Sequence, residues 1–156
     1  MTPAIAEAMR QLERACDEHR DALLMWHDVD AALKHMVPEP AVRHLPTGTG
    51  ADGRRALHRF YTEEFLPYLP GDLAITRVSR TVGRFRLIDE MLVRFTHDRP
   101  LRWLLPEARP THRQAEITAV MIAEFDRLHI RAQRIHWDHA TLLGQLGLPP
   151  LVRARG

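Results

Sequence analysis

The chain has 156 residues, 45% hydrophobic and 27% charged, the composition of an ordinary globular domain with enough apolar side chains for one buried core. Its formal net charge is only +2, and the basic residues, of which Lys34 is the sole lysine, are interleaved with acids, which argues against a nucleic-acid-binding face. Cys16 is the one cysteine, which excludes an intrachain disulfide and a thiolate metal cluster; no apolar run reaches the ~18–20 residues of a membrane span, and the acids in MTPAIAEAMRQLERACDEHR do not suit a signal peptide, so a cytoplasmic protein with neither nucleic-acid nor membrane partner is expected.

From Ala4 to about Met36 the apolar spacing is helical. Ile5, Met9, Leu12, Ala15 and Cys16 share a stripe, followed by Leu23, Leu24 and Trp26 and then Val29, Leu33 and Met36. Asp28 is placed to cap a second helix, which Pro38 and Pro40 end. Ala41 to Leu45 reads as a short strand, and Pro46 to Gly50 as a loop. Asp52 to Tyr68 is a third helix with Leu57, Phe60, Tyr61 and Phe65 on one side. After Pro70-Gly71-Asp72 the period changes to two. Leu73–Val82 and Phe85–Thr96 are strands joined at Gly83, and Arg113–Phe125 and Leu128–Asp138 are two more. The intervening DRPLRWLLPEARP (Asp98 to Pro110) is an apolar loop suited to a lid or a subunit contact. Helices followed by antiparallel strands predict one α+β domain over residues 1–156, with an N-terminal helical segment (4–36) packed on a curved sheet (73–138).

Alternation sorts the strand faces. One face of the second long strand carries Leu87, Asp89, Met91, Val93, Phe95 and His97. One face of the third carries Ala115, Ile117, Ala119, Met121, Ala123 and Phe125, whose small residues suit a cavity wall. Its opposite face, with Thr118, Val120 and Ile122, is apolar enough for a homodimer contact through the sheet. In the last strand Ile130, Ala132, Arg134, His136 and Asp138 oppose Arg131, Gln133, Ile135 and Trp137, and neither set is cleanly apolar, so its inward face stays open. Asp138 with His136 or His139, plus His97 or His44, would be ligands of the right kind for a metal. No H-E-x-x-H or H-x-H spacing exists, however, and no metal or cofactor is expected. There is no G-x-S-x-G elbow and no phosphate loop.

Five blocks in order, HLPTGTG (44–50), RFYTEEFLPYLP (59–70), VSRTVGRFRLIDEMLVRFTHD (78–98), WLLPEARPTHRQAEI (103–117) and IHWDHATLLGQLGL (135–148), resemble the NTF2-like superfamily, and within it the SnoaL-like, polyketide ester cyclase-like branch. The resemblance implies a cone-shaped α+β barrel, its curved antiparallel sheet wrapped on the N-terminal helices around a deep pocket. It also implies cofactor-free acid/base chemistry of the cyclase, isomerase, dehydratase or epoxide hydrolase type on a small hydrophobic, oxygenated molecule. Asp138 matches the acid/base aspartate near the end of the final strand, and it could equally cap the turn at Ala140. His44, His97 and His136 are candidates to orient a substrate oxygen. Trp137, Trp103, Phe95, Met91, Tyr61, Asp89 and Met121 are candidates to contact the substrate. A glycine is expected where His112 stands. The competing expectation is a non-catalytic binding or dimeric interaction module on the same fold.

Overall fold

Helix α1 (Pro3–Leu24) starts where the sequence supplies a cap: the Thr2 hydroxyl accepts from the Ile5 N–H at 3.2 Å, and Pro3 opens the first turn. In this computed structural model, which describes residues 1–150, α1 buries Leu12, Ala15, Cys16, His19, Ala22 and Leu23. Leu12, Ala15, Cys16 and Leu23 belong to the stripe the spacing predicts, Ile5, Met9 and Leu24 of that stripe are only partly buried, and His19 is an unforeseen polar member. Trp26, expected on it, lies past the helix end and is 72% exposed. Asp28 caps the short α2 (Val29–Leu33), accepting from the Ala31 N–H at 2.9 Å.

Pro38 and Pro40 follow α2 but lie inside β1 (Met36–Leu45). They fall where the register against β6 breaks, between Met36 and Ala41, and a residue without an N–H is tolerated at such a break. The loop expected at Pro46–Gly50 closes up into a second strand, β2 (Thr49–Asp52), antiparallel to β1. Gly50 permits this: its φ is +134°, and any Cβ there would collide with the Val42 carbonyl.

The third helix is broken in three: α3 (Arg54–Arg59), a π turn (Phe60–Phe65) and a 3-10 turn (Leu66–Tyr68). Pro67 accounts for the break, since it offers no N–H and crowds the carbonyl four residues back. The Leu66 N–H reaches back five residues to Tyr61. The wider turn gathers Phe60, Tyr61 and Phe65, with ring centroids 5.9, 6.1 and 5.8 Å apart.

Strands β3 (Ala74–Val82), β4 (Arg86–Thr96), β5 (Gln114–Asp126) and β6 (His129–Trp137) start and end within one residue of the expected bounds. The sheet order is β2-β1-β6-β5-β4-β3, with only β1 and β6 parallel. The α+β class is as expected, and the curved sheet stops short of closing into a barrel, with β2 and β3 as its edges.

Alternation places Leu87, Asp89, Met91 and Phe95 of β4 inside, followed by His97 just past its end, and Ala115, Ile117, Ala119, Ala123 and Phe125 of β5 with them. The open question of β6 is settled by a bulge. Glu124 pairs with Ala132 and Phe125 with Ile130, leaving Arg131 unmatched. The extra residue reverses the alternation, so Ile130 faces inward together with Gln133 and Trp137, and His136 faces out. The even-numbered set read from the sequence is corrected accordingly.

Between β5 and β6, Asp126 and His129 pair across a two-residue loop whose first member, Arg127, has φ +55°. A positive φ at that position is the II′ pattern that favours glycine. Arg127→Gly is expected to raise stability by about 1 kcal/mol, and a lower melting temperature would contradict this. After β6, the run expected as an apolar turn forms α4 (His139–Leu146). Asp138 caps it, Gly147 at φ +67° ends it, and it buries Leu142, Leu143 and Leu146.

Candidate functional site

Where α1 and the Phe60–Phe65 turn cross the inner face of the sheet, the side chains leave a cavity of about 150 Å³. Cavities of about this size accommodate a single small ring. The walls are mostly apolar, with Leu23 and Leu24 from α1, Met91 and Val93 from β4, and Ile117, Ala119 and Met121 from β5. Ala119 is the smallest side chain of the wall, and a longer one there would take up part of the space.

His44 enters the wall from β1. It is 5% exposed, and its ring lies 5.7 Å from Phe60, 6.0 Å from Phe65, 5.5 Å from Trp103 and 6.3 Å from Trp137 between centroids. Burial pushes its pKa down to about 4, and the Thr49 backbone offsets only part of this. The imidazole is therefore neutral near pH 7, and its Nδ1 is buried without a hydrogen-bond partner. Trp103 comes from the Asp98–Pro110 loop, which the Thr49 and Thr47 hydroxyls fasten to the β1–β2 turn by donating to the Trp103 carbonyl at 2.7 and 3.2 Å. Tyr61 is buried, and that burial raises its pKa above the ordinary phenol value.

One end of the wall is ionic. Arg80 donates from Nε and Nη2 to the Asp89 carboxylate at 2.7 and 2.9 Å, and from Nη2 and Nη1 to Asp17 at 2.7 and 3.1 Å. The Asp89 hydrogen bond chiefly holds the guanidinium pKa above its usual value. Burial would raise Asp17, but the hydrogen bonds from Arg80 outweigh it and leave Asp17 below the usual carboxylate range. Cys16 lies beside them, and burial first, then Asp89, pushes its thiol up to about 12, so it is no nucleophile. Arg80 and Asp17 were not anticipated. A signal existed: counting back from the Gly83 turn sets Arg80 directly opposite Asp89.

No family model matches the chain, and no curated protein matches it. Solved structures do. A Jannaschia sp. CCS1 protein, provisionally named a SnoaL-like polyketide cyclase, superposes with a TM-score of 0.71 at 15% identity, over 96% of this chain and 98% of that one. An NTF2-like protein of unknown function from Burkholderia pseudomallei gives 0.67 at 14% identity, over 87% and 97%. A Catenulispora acidiphila protein with a ketosteroid isomerase-like fold gives 0.61 at 12% identity, over 96% of each chain. The fold is NTF2-like.

Within this NTF2-like fold the cavity wall includes His44, Trp137, Trp103, Met91, Tyr61, Asp89 and Met121 of the expected site residues. The other four lie elsewhere. Phe95 is buried in the second half of the core, among Leu101, Leu104 and Leu105. His97 is fully buried as a clasp on the loop: its Nδ1 accepts from the Thr111 N–H at 3.2 Å, and its backbone bonds Arg113 and His112. His136 is exposed on the outer face. Asp138 is exposed, accepting from the Thr141 N–H at 3.0 Å and the Thr141 hydroxyl at 2.6 Å, which hold its carboxyl below the usual range. The proposed proton-transfer carboxylate is thus a helix cap outside the cavity, and the carboxylates in the wall are Asp89 and Asp17. Asp138→Ala is expected to lower the melting temperature by a few degrees and leave ligand affinity unchanged; a loss of affinity at unchanged stability would contradict that placement. The expected glycine site, His112, has φ +59°, the conformation that favours glycine, and its side chain is exposed.

Proposed function

We propose that the protein binds a small, largely apolar organic molecule with an oxygen function inside this cavity. The observation that carries the reading is a mostly apolar cavity with a few neutral polar groups, His44, Tyr61 and Gln133, in its wall beside the ionic end. The test compares the wild type with Ala119→Leu, whose longer side chain takes up part of the space. Ring-sized alcohols and ketones are expected to bind the wild type saturably and raise its melting temperature, with both effects lost in the variant. Equal binding by the two proteins would place the ligand elsewhere and sink the reading.

A second reading, cofactor-free acid/base catalysis of the cyclase, isomerase or dehydratase type, is favoured by one observation: His44 is a neutral imidazole in the wall, free of any carboxylate partner. On this reading His44 takes the role first expected of Asp138, because Asp89 is tied to Arg80. A group with a pKa of about 4 is a weak base at neutral pH, so binding stands first.

A further inference from the structure

The segment from Asp98 to Pro110 leaves β4 and returns to β5, and on the way it sets Trp103 and Leu104 in the cavity wall. Its two ends are joined at one residue. The His97 N–H donates to the Arg113 carbonyl at 2.9 Å, the His112 N–H to the His97 carbonyl at 2.8 Å, and the Thr111 N–H to the His97 Nδ1 at 3.2 Å. The first two bonds are indifferent to pH. The third is not. A backbone N–H can only donate, so Nδ1 keeps its lone pair and the ring proton sits on Nε2. That nitrogen is buried and has no partner among the described residues. Protonating Nδ1 sets a ring N–H against the Thr111 N–H and places a full charge in a side chain with no exposed surface. The Thr111 hydroxyl, 3.0 Å from Nδ1, can accept the new proton only once the backbone N–H beside it has moved off.

The charged groups around His97 do not remove this penalty. Burial acts on it most and disfavours the imidazolium, Asp98 favours it, and His112 opposes it. The Asp98 carboxylate is already paired with Arg99 at 2.9 Å, Asp72 accepts from the Thr96 N–H and hydroxyl, and the Arg113 guanidinium lies against Gly147 of α4. The other ties of the segment are made elsewhere: Thr47 and Thr49 hold the Trp103 carbonyl, and Arg99 donates to the Leu69 carbonyl at 3.0 Å. None of those groups changes charge near neutrality. We propose that His97 is an acid-sensitive latch: neutral, it holds the segment closed against the cavity, and protonated, it releases the Thr111–Arg113 stem and opens the wall at Trp103 and Leu104. The device acts on the wall itself and does not depend on what the cavity binds.

The test is amide hydrogen exchange followed by NMR on the whole protein without ligand, each rate divided by its intrinsic value at that pH. The open stem takes up a proton at the ordinary 6.5 and the closed stem does not, so falling pH favours opening. Protection of the His97, Thr111 and His112 amides is expected to fall about tenfold per pH unit below 6.5, the slope of one proton, and the Trp103 indole N–H, buried in the closed wall, to follow them. Ala119 and Ala123 of β5, which pairs on both sides, are expected to stay better protected and to show the steeper slope of several histidines, because they open only with the whole fold. His97→Asn, which keeps an acceptor at the Nδ1 position and does not titrate, is expected to flatten the slope of the stem and leave that of β5. A stem slope of zero, a stem that exchanges in step with β5, or one unprotected already at pH 7 overturns the latch. So does a one-proton slope that survives in His97→Asn. If that variant does not fold, the two wild-type slopes decide.

Discussion

Arg80→Met is expected to lower the stability of the fold by about 3–5 kcal/mol, the effect of breaking a buried ion pair from one side. The side chains of Arg80 and Asp89 are 8% and 2% exposed. Removing the guanidinium leaves the Asp89 carboxylate inside with nothing to balance it, and it also leaves Asp17 on α1 tied to β3 only by the longer 3.8 Å pairing with Arg77. Methionine keeps much of the arginine stem, so lost packing contributes little. The double variant Arg80→Met/Asp89→Leu is expected to recover most of the loss, because an apolar pair of similar volume replaces a buried ion pair at little cost. Urea unfolding of the three proteins checks both statements. A single variant within about 1 kcal/mol of the wild type would mean that solvent reaches Asp89 freely.

Acidification is expected to destabilise the protein well before its carboxylates titrate. Burial holds His19 and His44 each at about 4, against the ordinary 6.5. In His19 the Nδ1–H donates to the Ala32 carbonyl at 2.9 Å, which offsets only part of the burial. Both residues are neutral when folded, so between pH 6.5 and 4 the unfolded chain binds protons that the folded chain does not. Stability is complete above 6.5 and falls as the pH drops toward 4, by about 3 kcal/mol for each histidine. Denaturant unfolding across that range is the measurement, and His44→Phe is expected to remove a large share of the pH dependence, the rest coming from His19, His97 and His139, whose pKa values burial also lowers. A stability that stays flat down to pH 4.5 would show both imidazoles to be hydrated, contrary to their burial.

What the sequence made legible was the part governed by simple periods. Alternation put Asp89 and Met91 on one face of β4 and Met121 on one face of β5, and those faces meet at the cavity because β4 and β5 pair without a break along the whole length they share. It failed on β6, where the bulge at Arg131 shifts every later residue by one face and no side chain announces it. Arg80 was missed for a different reason: a charged residue in a mixed strand reads as surface until its cross-strand partner is counted. The segment after Asp138 looked like a turn because glycines at 144 and 147 sit among its leucines, yet Gly144 is tolerated within α4 and Gly147 ends it. Asp138 itself was the hardest residue to read. An aspartate before an apolar run is equally suited to capping a helix and to moving a proton, and only its position relative to the cavity separates the two.

The most direct test of a ligand inside the cavity uses the protein's three tryptophans. Trp103 and Trp137 line the cavity, and Trp26 is exposed beyond α1. Indole ¹H–¹⁵N signals are followed while cyclohexanone is added. Saturable shifts of Trp103 and Trp137 with Trp26 unmoved are the predicted result. Shifts confined to Trp26, or none at all, would contradict the account.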